Sequence, residues 1–75
     1  MKAELWQMLM DSARADKSKA QLTLNLLSEY PAGIGDHSTT DFYNNAEEAL
    51  RMLIDAVERV DMLKDILDDR GDLPF

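Results

Sequence analysis

The chain has 75 residues, no cysteine, and 15 acidic against 8 basic side chains, for a net charge of -7. That length makes one domain, whose single hydrophobic core seldom contributes more than about 3–5 kcal/mol, so a further source of stability such as oligomerisation is expected. The absence of cysteine excludes disulfides and thiolate metal sites and suits a reducing cytoplasm, while a surface of this sign repels phosphate and argues against direct nucleic-acid binding.

The charge is concentrated in the second half. Residues 1–37 carry four basic and five acidic side chains, whereas residues 38–75 carry four and ten. The first residues, Met1-Lys2-Ala3-Glu4-Leu5-Trp6, include an early acid and no long apolar run. They resemble neither a signal peptide nor a membrane span, so a soluble intracellular protein with no membrane association is expected.

The first predicted element is a helix over about residues 3–29. Leu5, Trp6, Met8, Leu9 and Met10 form an apolar patch at its start, and Ala20, Leu22, Leu24, Leu26 and Leu27 form another near its end. Between them, Ser12–Lys19 offers only Ala13 and Ala15 to a core. A break with Asp16 as a new cap is conceivable, but the stretch contains neither Pro nor Gly, so continuity is the expectation. Trp6, Met8 and Met10 read first as dimer core and second as a partner-binding hot spot.

A turn follows over residues 30–38. Pro31 disfavours helical geometry at Tyr30, and Gly33 and Gly35 offer the positive φ that a reversal of chain direction needs. His37, flanked by Asp36, has the chemistry of a metal ligand or general base. With no second histidine and no nucleophile nearby in sequence, it reads as a turn residue. Gly33-Ile34-Gly35 lacks the third glycine, the lysine and the preceding strand of phosphate-binding loops, so no cofactor and no metal are expected.

Ser38, Thr39, Thr40 and Asp41 supply capping groups for a second helix, expected over about residues 39–69 and ended by Gly71 and Pro74. Its apolar residues, Phe42, Ala46, Ala49, Leu53, Ala56, Val60, Leu63 and Leu67, recur at spacings of four and three. That average of 3.5 marks a seam packed along another helix at a shallow angle. With Ala46 at heptad position a, Leu50 and Val57 fall at e and widen the apolar face beyond a two-stranded seam, which favours a bundle. The alanines would let a neighbouring helix approach closely, with larger side chains opposite.

The carboxylates of this helix occupy heptad positions b, c and f, directed away from the seam. They read first as a solvated face, laced by the pairs Glu47/Arg51, Asp55/Arg59 and Asp61/Lys64, and second as a docking surface centred on Asp61, Asp65 and Asp68. The same placement argues against the inward-facing metal site of an all-α nucleotide pyrophosphohydrolase, and no catalytic residue is assigned. Arg70-Gly71-Asp72 is a helix terminus that matches an integrin-binding tripeptide by letter only.

A hairpin alone would leave Met8, Met10, Leu22, Leu26, Met52, Ile54 and Met62 with little to pack against. The expected architecture is therefore an all-α, two-helix antiparallel hairpin that dimerises into a four-helix bundle, with a different protein supplying the missing helices as the alternative.

From Leu24-Asn25-Leu26-Leu27 through Pro31-Ala32-Gly33-Ile34-Gly35-Asp36-His37-Ser38 to Asp41-Phe42-Tyr43 and Ala46-Glu47-Glu48-Ala49-Leu50, the sequence resembles a group of short uncharacterised proteins of tailed phages, notably marine cyanophages. The resemblance covers residues 14–67, with Ala32 standing where Val is expected. It transfers no activity. What it implies is a phage gene product in the cytoplasm of an infected bacterium. The expected function is that of a non-enzymatic accessory or regulatory protein working through protein–protein contacts; the alternative is an acidic DNA mimic that blocks a basic nucleic-acid-binding site on a host protein.

Overall fold

The computed structural model describes residues 1–29 and 39–70, together with the side chains of 1–29 and 40–67. The predicted turn residues Pro31, Gly33, Gly35, Asp36 and His37 lie outside the described residues. Two helices, α1 (Ala3–Glu29) and α2 (Thr39–Arg70), account for the regular structure, and the described residues contain no strand. They lie side by side and antiparallel: Trp6, near the start of α1, reaches Leu63 near the end of α2, and Asp16 meets Arg59. The fold is an all-α helical hairpin.

Each helix owes its length to different local features. α1 begins with the Trp6 N–H donating to the Lys2 carbonyl oxygen at 2.9 Å. It then runs unbroken through Ser12–Lys19, because nothing there removes a backbone donor and Ala13 is drawn into the core. Polar residues inside α1 are accommodated by bonding back to the helix. The Thr23 hydroxyl donates to the Lys19 carbonyl and the Ser28 hydroxyl to that of Asn25. α2 has Asp41 in its first turn, where a carboxylate favours the positive end of the helix dipole.

The core is thin. Among the described residues the buried ones are Met10, Ala13, Ala20, Ala49, Ala56, Val60 and Leu63, so four of the seven are alanine. Met10, Ala13, Val60 and Leu63 form one cluster, with Trp6 and Ile66 packed against it. Met10 departs from the expectation that it would lack a partner within the hairpin. It is completely buried, because Trp6, Met10 and Ala13 lie at spacings of four and three and together face α2.

The register set by the Trp6 and Asp16 contacts brings Ala20 level with Leu53, and Ala49 level with Leu24. Small side chains thus stand opposite large ones, and the helix axes can approach closely. Extents of 52 × 17 × 15 Å describe a rod two helices wide. Such a rod has a single contact line, and most of the surface of each helix stays outside it.

Candidate interaction surface

The seam residues of α2 are all withdrawn from solvent. Ala49, Ala56, Val60 and Leu63 are buried, while Phe42, Ala46, Leu53 and Leu67 are half-buried. Phe42 also meets the exposed Tyr43 edge to face, with ring centroids 5.8 Å apart. α1 presents a matching series to this seam: Trp6, Met10, Ala13, Lys17, Ala20, Leu24 and Leu27, again at spacings of four and three, and every member is buried or half-buried.

Two polar contacts fix the register between the helices. The Trp6 indole N–H donates to the Leu63 carbonyl oxygen at 2.9 Å. The Arg59 guanidinium donates to Asp16 across the hairpin at 2.7 Å and to Asp55 on its own helix at 3.0 Å. Foremost through the hydrogen bond that Arg59 donates to Asp16, these partners hold the Arg59 pKa above its ordinary value, against the opposing effect of burial. With its pKa raised, the Arg59 guanidinium contributes to hairpin stability while it stays charged and loses that contribution only as pH rises above the ordinary guanidinium value.

Replacing Trp6 by Phe keeps an aromatic side chain but removes the N–H donor together with the second ring. The expected loss is at least about 1 kcal/mol, the net worth of one hydrogen bond, because the smaller ring also gives up apolar contact with the core. For a domain of this size that lowers the melting temperature by about 4–8 °C, readable by circular dichroism.

The outer surface divides into two chemistries. Acidic residues Glu47, Glu48, Asp55, Glu58, Asp61 and Asp65 are exposed along α2; the side chain of Asp68 lies outside the described residues. Arg51 pairs with Glu47 at 3.5 Å, with both side chains largely in solvent. The Asp61/Lys64 pair expected from spacing does not form among the described residues, as an exposed pair at that separation gains little in water. No group of three or more His, Cys, Asp or Glu among the described residues could hold a metal ion. None of the described helices is long and apolar enough to cross a membrane.

The second chemistry is apolar. Eleven large hydrophobic side chains among the described residues are exposed. Of these, Leu5, Leu9 and Leu26 on α1 and Met52 and Met62 on α2 lean to one flank of the hairpin, while Met8 and Leu22, each two positions from a seam residue on either side, look away from α2. Two grooves between the helices mark this flank: one of about 220 Å³ bounded by Leu9, Ser12, Arg59, Met62 and Leu63, another of about 240 Å³ bounded by Thr23, Leu27, Asn45, Glu48, Ala49 and Met52. Among the described residues the large hydrophobics exposed on the opposite flank are Tyr43, Leu50 and Ile54, all from α2, and helical spacing sets the polar Gln7, Arg14 and Gln21 of α1 beside them.

On α1 the apolar flank has an order of its own. Leu5, Met8, Ser12, Ala15, Lys19, Leu22 and Leu26 recur at spacings of three and four, and all are exposed. The helix therefore carries two interleaved heptad series, one turned to α2 and one turned to solvent. In the sequence they overlap and blur each other, which makes α1 look irregular beside α2; separating residues that recur at 3.5 would have found both.

No protein-family model matches the chain, and neither does any curated protein or solved structure.

Proposed function

We propose that this chain is a non-enzymatic, acidic helical-hairpin protein that works through protein–protein contacts and self-associates into a four-helix bundle. The observation that carries this reading is the imbalance between inside and outside. Among the described residues Met10, Val60 and Leu63 are the only buried side chains larger than alanine, while Leu5, Met8, Leu9, Leu22, Leu26, Met52 and Met62 stand exposed. Exposed apolar side chains in that number mark an interaction surface. On the resemblance of residues 14–67 to proteins of tailed phages, its setting is the cytoplasm of an infected bacterium and its role is accessory or regulatory.

A second reading is supported by the acidic face of α2. Its carboxylates are exposed, and the arginines Arg51 and Arg59 are taken up by Glu47, Asp55 and Asp16. Such a face suits a basic partner, including the nucleic-acid-binding site of a host protein that a DNA mimic would occupy.

Sedimentation equilibrium at micromolar concentration tests the first reading directly. The expected result is a mass twice the 8.5 kDa of the chain. A folded monomer under those conditions overturns it.

A further inference from the structure

The geometry points to a specific mode of self-association, which rests on the dimeric reading and deepens it: two copies pack the side of α1 that looks away from α2 against itself in antiparallel fashion, about a two-fold axis that passes between Ser12 and Ala15, so that the two α1 helices lie between the two α2 helices. A two-fold interface must be self-complementary, since each residue i that meets j of the partner requires j to meet i. The exposed series on α1 has this property. Reflected about its midpoint, Ser12 comes level with Ala15, Met8 with Lys19, and Leu5 with Leu22. Each layer joins one heptad position to the other, as layers of antiparallel coiled coils do.

The chemistry of the layers agrees with the pairing. The small residues Ser12 and Ala15 lie at the axis, where two helix backbones come closest, and the larger leucines lie toward the ends. Lys19 is the one charged residue in the series. In the antiparallel arrangement it stands level with Met8 of the second copy, whose neighbours one turn to either side are Glu4 and Asp11, so its ammonium meets two carboxylates. A parallel pairing would instead set Lys19 against its own copy.

The absence of native cysteine allows a direct test by engineered cross-linking. Leu5→Cys chains and Leu22→Cys chains, each checked for helicity by circular dichroism, are mixed and oxidised. A disulfide-linked heterodimer is expected from the mixture. None is expected from Leu5→Cys alone, whose two thiols would lie about 25 Å apart along the axis. As a second readout, Lys19→Glu should weaken the dimer at least tenfold, and adding Glu4→Lys and Asp11→Lys should restore it. Cross-linking of Leu5→Cys with itself would overturn the antiparallel geometry. A dimer that cross-links through Leu50→Cys and Ile54→Cys while the Leu5/Leu22 mixture stays unlinked would overturn the choice of flank and leave the dimer standing. A folded monomer by sedimentation would overturn both.

Discussion

Leu63→Asp is expected to leave the chain largely unfolded at neutral pH. Leu63 is 5% exposed and sits in the cluster with Met10, Ala13 and Val60, and its carbonyl oxygen receives the Trp6 indole N–H. An aspartate there forfeits about 1.5–3 kcal/mol of apolar burial. It also leaves a carboxylate without a partner in the one part of the hairpin that excludes water, at a cost of several kcal/mol more. Against a core that contributes only about 3–5 kcal/mol at this chain length, the sum exceeds the reserve. Far-UV circular dichroism should show loss of the helical signal, whereas Lys64→Gln, one residue further and exposed, should leave it nearly unchanged. Native helicity and melting in Leu63→Asp would mean that the α1–α2 seam does not hold the chain together.

The helical hairpin is legible in the sequence because its determinants are local. The spacing of apolar residues in α2 repeats without interruption from Phe42 to Leu67, and the lack of Pro and Gly through Ser12–Lys19 is enough to carry α1 across its polar middle. What depends on the relation between the helices is hidden. Asp16 and Arg59 are 43 positions apart, and Trp6 and Leu63 are 57 apart; nothing in either local sequence ties one to the other before the register is known. Met10 shows the same limit. Beside Met8 in the sequence it reads as one more surplus methionine, yet their angular separation on the helix sends Met10 into the core and Met8 to solvent.

The two interleaved series on α1 also explain why so small a chain can carry so many apolar residues and still form a defined hairpin. Had Leu5, Met8, Leu22 and Leu26 been in phase with Trp6, Met10, Leu24 and Leu27, the core would be larger and the outer flank polar. Their displacement by one or two positions instead assigns one set to the intramolecular seam and the other to a surface. The Asp16–Arg59 contact lies between the two grooves on that flank and holds the two helices in register, so the surface offered to a partner is fixed before association.

Leu22→Asp is expected to dissociate the assembly while leaving each hairpin helical. Leu22 is 60% exposed in the single chain, so the substitution removes little from the intramolecular core, but in an assembly built on the apolar flank its carboxylate would be taken out of water. A cost of several kcal/mol per buried charge, at about 1.4 kcal/mol per factor of ten, weakens association by more than a hundredfold. The contrasting variant neutralises the acidic face, with Glu58→Gln, Asp61→Asn and Asp65→Asn combined. If the contact is apolar, this triple variant should associate within about twofold of wild type, and raising salt from low to physiological strength should change little, because screening over a Debye length of about 8–10 Å acts on exposed charge and not on buried hydrocarbon. The opposite pattern would transfer the contact to the acidic face. A partner whose binding survives Leu22→Asp, falls steeply with salt and is lost in the triple variant would be held by carboxylates, and the mimic of a phosphate backbone would then be the better account of this protein.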